Sequence, residues 1–187
     1  MKFEKYFKNY NKSIYNLLID LDTSLIDRSV ELILKCKRNN GKVFIVGNGG
    51  SSSIASHVSV DFAKVANIPS NTFNNANLIT CFANDYGYKR WVEKAIDFYA
   101  DEQDVLILIS SSGKSPNMIN ACKAARNKKI SKIITFTGHN KDNQLSKLGD
   151  INLWIDSKAY NFVENTHQIW LLTIVDLIIG NREYLPS

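Results

Sequence analysis

The sequence lacks the paired cysteines of a disulfide framework and the long apolar run of a membrane span. Its 187 residues include three cysteines, Cys36, Cys81 and Cys122, which are far apart and form no C-x-x-C pair. An odd number of isolated cysteines argues against a disulfide framework or a zinc ribbon, so we expect reduced thiols in a cytoplasmic protein. No apolar run reaches the roughly 18 residues that a membrane span needs, and no signal peptide is recognisable, so we expect no membrane partner.

The chain also lacks the concentrated positive charge of a nucleic-acid-binding protein. Its formal net charge is +5, but the lysines are scattered, and those near the N-terminus alternate with aromatic residues. This mixture is more typical of an amphipathic helix than of a nucleic-acid surface, so we do not expect nucleic acid as a partner. The excess of positive charge suits an anionic substrate, and 44% apolar residues are enough for one well-filled core.

The chain is organised around the glycine- and serine-rich stretch at residues 42–53. Residues 42–46 are an apolar run typical of a buried strand, residues 47–50 contain three glycines, and three serines lead into a predicted helix at 54–64. A strand, a tight glycine turn and a helix N-terminus together form an anion site, because unpaired N–H groups, hydroxyls and the helix dipole all attract negative charge. The alternative is an ordinary turn with a serine N-cap.

Two well-known phosphate loops are absent from this stretch. A dinucleotide fingerprint requires a third glycine where Ser52 stands, and a Walker A loop requires a lysine after the glycines. We therefore expect a small phosphorylated metabolite as the ligand and no nucleotide cofactor.

The rest of the chain alternates strands with helices. We predict further strands at 70–73 (weakly), 104–109, 132–136 and 151–155, and helices at 88–99, 117–128 and 159–179, with a turn at 84–87. This order predicts a three-layer α/β sandwich with a five-stranded parallel sheet, forming a single domain over residues 1–187. Residues 1–41 form a helical N-terminal extension, broken near residues 22–24, whose long apolar stripe could be buried against a partner subunit.

A second serine-rich loop makes the phosphate interpretation stronger. The predicted strands that end at Val46 and Ile109 both lead into glycine- and serine-containing loops that begin helices. In open parallel sheets, ligands bind at the carboxyl ends of the strands, near a switch in strand order. Two such loops would surround a phosphate with hydroxyl and amide donors, and the donors that we name are Ser51, Ser110, Ser112 and Ser115. Two capping turns without a ligand remain the alternative.

The order of these motifs resembles the sugar isomerase (SIS) family, and within it the phosphoheptose isomerases. The resemblance covers nearly the whole chain and includes GNGGS at 47–51, AND at 83–85, SSSGKS at 110–115 and TFTG at 135–138. It implies a flavodoxin-like SIS fold and the interconversion of sedoheptulose 7-phosphate and glycero-manno-heptose 7-phosphate for surface polysaccharide (lipopolysaccharide or capsule) precursors. It also implies a cytoplasmic homotetramer with sites at subunit interfaces.

The resemblance assigns roles to individual residues. The four serines named above match positions that hold the phosphate, Asn48 and Asp85 match positions that contact the open-chain sugar, and Gly49, Gly50 and Ser111 complete the expected substrate-binding set. If a metal is bound, we expect Zn²⁺ with His57, Asp61, Glu164 and His167 as its ligands. The expected catalytic residues are Asp61, Glu164 and His167.

The sequence differs from the family pattern on two helices. Asp61 stands where the family has a glutamate. On the last helix the family's Gln-Glu-x-His pattern reads Glu164-Asn165-Thr166-His167, and Leu172 stands where the family has a second histidine. The remaining residues could work in two ways, since His57 and Asp61 share one helix face and Glu164 and His167 share another. They could bind a metal through imidazole and carboxylate groups, or act as a metal-free base and acid. Alternatively, His167 packs beside Trp170 and Asp61 is only a solvated helix residue.

At the level of function, the alternative to an isomerase is a non-catalytic phosphosugar-binding regulator or protein-binding scaffold.

Overall fold

The chain folds around a five-stranded parallel β-sheet with helices on both faces. The computed structural model describes residues 2–130 and 132–183, so the expected domain limits, residues 1 and 187, lie outside the described residues. Strands β1–β5 are, in chain order, Val43–Gly47, Ser70–Asn71, Val105–Ser110, Lys132–Thr137 and Ile151–Trp154. Helices α1–α7 are Lys2–Ile19, Ser24–Arg38, Gly50–Lys64, Ala76–Tyr86, Trp91–Tyr99, Pro116–Asn127 and Tyr160–Ile179. The predicted α/β class and the five-stranded parallel sheet are confirmed.

The strand order creates a switch point between β1 and β3. The sheet has the order β2-β1-β3-β4-β5, and every pair of neighbours is parallel. The chain passes from β1 to the edge strand β2 and then returns to β3 on the other side of β1. Ligands of such sheets bind at the carboxyl ends of the strands at this switch. Gly47, the last residue of β1, is opposite Ile109 of β3, so the loops after the two strands lie side by side.

The two central strands are buried on both faces, as their continuous apolar runs predict. Every residue of β1 and of β3 is buried. Because side chains alternate along a strand, Ile45 and Ile107 pack on the side covered by α2, α3 and α7, whereas Leu106 and Leu108 pack with α5 and α6 on the other side. Helices on both faces are what a parallel sheet needs to shield such strands from water.

A buried carboxylate ties the starts of β1 and β3 together. Asp104 is fully buried, and its Oδ1 accepts the backbone N–H of Lys42 at 2.7 Å. Its Oδ2 accepts the backbone N–H of Asp101 at 2.8 Å and lies 3.2 Å from Lys42 Nζ. A buried charge is tolerated only when it is paired and hydrogen-bonded, and here both oxygens have partners. These contacts hold the two strands in the register that brings their carboxyl ends together.

Several element boundaries differ from those expected from the sequence. Helix α3 begins at Gly50 rather than at residue 54, so all three serines lie within its first turns. The turn predicted at residues 84–87 is wrong except at its end, because α4 continues to Tyr86 and only Gly87, with a φ of 81°, terminates it. The apolar face of α4, with Leu78 and Phe82, packs on the core and outweighs the weak helix propensity of the following polar residues. Helix α5 begins at Trp91, later than predicted, and β2 is shorter than predicted.

The N-terminal helices are separated where the sequence predicts a break, between Ile19 and Ser24. No described residue of α1 is buried, and Phe3, Tyr6 and Phe7 are 82%, 70% and 66% exposed. Helix α1 contacts α7 where the rings of Tyr10 and Phe162 meet edge to face with centroids 4.6 Å apart. The role of this extension in oligomerisation stays a prediction.

Among the described residues, no helix combines the length and apolarity needed to cross a membrane.

The long helix α7 buries a histidine against the sheet. His167 has no exposed surface, and its Nε2–H donates to the backbone oxygen of Thr137 at 3.1 Å. Its ring packs edge-to-face on Phe136, and its Nδ1 has no hydrogen-bond partner among the described residues. Burial lowers the pKa of His167 from 6.5 to about 4, which its hydrogen bond to Thr137 only partly opposes. The imidazole is therefore neutral at pH 7.

This neutral histidine makes the stability of the fold depend on pH. In the unfolded chain the imidazole takes up a proton as the pH falls below 6.5, whereas in the folded chain it resists protonation down to about pH 4. We expect the free energy of unfolding to decrease by about 2 kcal/mol between pH 7 and pH 5 through this group. His167→Gln keeps an N–H donor but does not titrate, so its stability should fall less over the same interval. Urea unfolding at both pH values measures this, and equal pH dependence in the two proteins would contradict it.

Candidate active site

The loop between β1 and α3 is shaped by its glycines. A Cβ at Gly47 would lie 2.6 Å from the backbone of Ser51, and Gly49 has a φ of 55°, so a side chain is excluded at the first position and strained at the second. The backbone N–H groups of Ser51 and Ser52 donate to the carbonyls of Asn48 and Gly49 at 3.0 and 2.9 Å. These two amides are therefore not free for a ligand, in contrast to the simplest form of the anion-site prediction. The Ser51 hydroxyl makes no hydrogen bond to the described residues and remains available.

The loop between β3 and α6 presents a row of hydroxyls. Ser110 Oγ donates to Ser115 Oγ at 3.2 Å, and the backbone N–H of Lys114 donates to Ser112 Oγ at 3.3 Å. The backbone oxygen of Ser111 accepts the N–H of Gly138 at 2.9 Å, which fixes this loop to the end of β4. Pro116 occupies the first turn of α6, as predicted, where its missing N–H costs nothing.

The two loops enclose one small cavity at the switch point. Its volume is about 130 Å³. Since a water molecule in the liquid occupies roughly 30 Å³, this space is large enough for a phosphate group. The residues that line it are Asn48, Ser51, Ile109, Ser110, Ser111, Ser112, Ser115, Tyr160 and Glu164. Most of the residues expected to bind substrate thus lie together.

A carboxylate from α7 reaches the same cavity. Glu164 lies against Gly50 at the start of α3, and a Cβ added at Gly50 would collide with its carboxylate oxygens. Glycine at this position therefore leaves room for the glutamate side chain. The negative carboxylate lies at the positive end of the α3 dipole, which favours it there. Any anion that enters the cavity must share this electropositive position with Glu164.

Asp85 is not brought to this cavity within the chain. It lies near the end of α4, where it is exposed, and its Oδ1 accepts a hydrogen bond from Asn84 Nδ2 at 2.9 Å. Asp85 is not among the residues that line this cavity, and its contact with the sugar stays a prediction. The sequence also failed to identify Tyr160, which lines the cavity one helical turn before Glu164. That spacing of four residues on one helix face is the signal that could have found it.

The predicted pair of His57 and Asp61 lies in a second, larger groove. His57 Nε2 is 3.4 Å from Asp61 Oδ2, and Gln168 Nε2 is 3.4 Å from His57 Nδ1. The two side chains therefore share one face of α3, as their spacing predicts. The groove has a volume of about 820 Å³ and is lined by His57, Asp61, Leu172, Asp176, Asn181, Arg182 and Glu183. Leu172 does face the pair, and it offers neither a metal ligand nor a proton.

The four expected metal ligands do not converge in the chain. His167 lies within the core with its Nε2 bonded to Thr137, whereas Glu164 borders the small cavity and His57 and Asp61 line the groove. Across residues 2–130 and 132–183 there is no group of three His, Cys, Asp or Glu side chains that could hold a metal ion. A zinc site needs at least three protein ligands in tetrahedral geometry, so the described residues of this chain do not by themselves fit Zn²⁺. The placement of His167 corrects its expected role as ligand and catalyst, because it packs against the sheet beside Trp170.

Comparisons with known proteins agree with this architecture. The family model of the SIS domain matches residues 5–138. A phosphoheptose isomerase of Campylobacter jejuni is 30% identical over 161 residues, covering 82% of this chain and 84% of that protein. One from Coxiella burnetii is 28% identical over 195 residues, covering 99% and 96% of the two chains. The structure of a phosphoheptose isomerase from Francisella tularensis superimposes with a TM-score of 0.84 at 25% identity, covering 96% of this chain and 97% of that one. The chain therefore belongs to the SIS-domain family, among the phosphoheptose isomerases.

Proposed function

We propose that this protein interconverts sedoheptulose 7-phosphate and glycero-manno-heptose 7-phosphate. The observation that supports this most is the cavity at the switch point, where hydroxyls from two loops surround a space of phosphate size. The substrate class comes from the names of the relatives. This chain aligns with 84% of the length of a protein named phosphoheptose isomerase. We further propose that the protein works in the cytoplasm, where its three free cysteines stay reduced, and supplies surface polysaccharide precursors.

In this proposal the phosphate is held by hydroxyl donors from both loops. Ser51, Ser110, Ser112 and Ser115 lie around the cavity, and the N-termini of α3 and α6 add the positive ends of two helix dipoles. Asn48, Gly49, Gly50 and Ser111 complete the binding surface. Hydrogen bonds to a charged phosphate are stronger than those between neutral groups, so a few hydroxyls are enough to anchor one end of the sugar.

Isomerisation requires a base that moves a proton between C1 and C2, and an acid that protonates the carbonyl oxygen. Glu164 is the carboxylate that borders the phosphate cavity, and we propose that it contacts the sugar there. His57 and Asp61 form an acid–base pair in the groove, with their side chains 3.4 Å apart. We propose that these protein groups carry the proton transfers.

Asp61 lies beyond the phosphate cavity along α3 and lines the groove instead. It follows Ser51 by ten residues, which corresponds to about 15 Å along the helix. We therefore propose a homotetramer in which the His57–Asp61 pair of one subunit completes the site of another. The exposed aromatic residues of α1, Phe3, Tyr6 and Phe7, supply an apolar surface for this association.

The direct test is turnover of ketose phosphates. Purified protein should convert sedoheptulose 7-phosphate to the aldose, and in deuterated water the product should carry deuterium at C2, because the enediol intermediate exchanges its proton with the base. Mass spectrometry of the product measures both. Phosphosugar binding without conversion or exchange across a panel of ketose phosphates would contradict the proposal and favour a regulator, which is the function that Leu172 would suit.

Removing the charge of Asp61 should separate catalysis from binding. We expect Asp61→Asn to lower kcat by about 100-fold or more, because it removes a general base, and to leave the affinity for inorganic phosphate nearly unchanged. Asp97→Asn is the matched control, since Asp97 is an exposed residue of α5 that pairs with Lys94 at 2.8 Å. Wild-type activity in Asp61→Asn would remove Asp61 from the mechanism.

The same variant tests whether sites are shared between subunits. Co-expressed Asp61→Asn and Ser110→Ala subunits should recover activity that neither variant has alone, because some sites would combine an intact phosphate loop with an intact Asp61. If mixed assemblies form without recovery, each site is built within one subunit.

A further inference from the structure

A buried asparagine on α6 holds the side chain of Asn48 in place. Asn117 is 2% exposed and follows Pro116 in the first turn of the helix. We propose that Asn117 is a positioning residue, which orients the Asn48 amide so that one N–H of Asn48 is presented to an oxygen of the open-chain sugar. This inference rests on the proposed function, in which Asn48 contacts the substrate.

The two amides form a closed pair between the phosphate loops. Asn48 Nδ2 donates to Asn117 Oδ1 at 3.0 Å, and Asn117 Nδ2 donates to Asn48 Oδ1 at 2.9 Å. Asn48 belongs to the loop after β1, and Asn117 to the helix that follows the loop after β3. The pair therefore joins the two halves of the site, and it fixes which edge of the Asn48 amide faces the partner.

The hydrogen-bonding capacity of Asn48 shows what is left for a ligand. Its Oδ1 accepts from Asn117 and also from the hydroxyl of Tyr88, at 3.3 Å. Both lone pairs of this oxygen are thus occupied, and one of the two N–H groups is used by Asn117. One N–H donor remains, on a side chain that lines the phosphate cavity. Such a donor matches a hydroxyl or carbonyl oxygen of a sugar and does not match another donor.

A third asparagine fixes the backbone beneath Asn48. Asn74 Nδ2 donates to the backbone oxygen of Gly47 at 2.8 Å, and Thr72 Oγ1 donates to Asn74 Oδ1 at 2.9 Å. Asn74 comes from the segment after β2, on the opposite side of β1 from Asn117. The backbone of this loop is therefore held from one side and its side chain from the other, so Asn48 has little freedom to rotate.

Asn117 itself does not line the cavity, whereas Asn48 does. Any effect of Asn117 on the reaction must therefore pass through Asn48 or through the shape of the loops. These two routes can be distinguished, because only the first depends on the Asn48 side chain.

A double-mutant cycle tests the proposal. Asn117→Leu is close in size and apolar, and it removes both bonds to Asn48. We expect it to lower kcat/KM for sedoheptulose 7-phosphate about tenfold, since a substrate hydrogen bond is weakened, and to change the dissociation constant of inorganic phosphate less than about twofold. Asn48→Ala should cause at least the same loss. The double variant should be no worse than Asn48→Ala alone, because Asn117 has nothing left to position.

The control is Asn152→Ala, which removes an amide whose Oδ1 accepts hydrogen bonds from Thr135 and Thr137 at 2.8 and 3.0 Å, outside the cavity lining. It should lower the thermal midpoint without changing kcat/KM. Multiplicative losses in the double variant, or a loss of inorganic phosphate affinity as large as the loss of kcat/KM, would overturn the positioning role. Wild-type protein that binds inorganic phosphate but converts no ketose phosphate would instead refute the proposed function, and binding of sedoheptulose 7-phosphate by the same variants would then report on Asn117.

Discussion

The parallel pairing of β1 with β3 is the interaction on which the rest of the structure depends. It sets Gly47 opposite Ile109, so two loops that are distant in sequence end at the same edge of the sheet. The buried Asp104 supports this register at the other end of the strands, through bonds to the backbone of Lys42 and Asp101. A slip of one residue would turn every side chain of β1 to the opposite face and separate the serines of the two loops. The phosphate cavity is thus a consequence of strand register.

The sequence predicted the features that are encoded locally. The apolar runs, the glycine turn after β1, Pro116 at the start of α6 and Gly180 at the end of α7 each require only neighbouring residues, and each appears where expected. The convergence of the two serine loops also followed, because parallel strands share one carboxyl edge. The flavodoxin-like order of the sheet and the family are confirmed together with it.

Other features depend on contacts between distant segments and could not be predicted. His167 has the spacing of a site residue from Glu164, but its direction toward the core is set by how α7 packs on the sheet. The pairing of Asn117 with Asn48 joins residues on different elements, and no periodic pattern in the sequence predicts it. The helical continuation of α4 through residues 84–86 depends on packing against α5. The sequence predicted unpaired amides at the start of α3, but the N–H groups of Ser51 and Ser52 form hydrogen bonds within the turn.

The proposed anion site consists of hydroxyl groups and the N-termini of two helices, and Glu164 is the one acidic side chain among its lining residues. The most direct measurement is a crystal structure of the protein soaked with sedoheptulose 7-phosphate. The account predicts the phosphate between the two loops, with its oxygens about 2.5–3.0 Å from the hydroxyls of Ser51, Ser110, Ser112 or Ser115. A phosphate bound instead in the groove beside Arg182, with the switch-point cavity lacking the ligand, would contradict it.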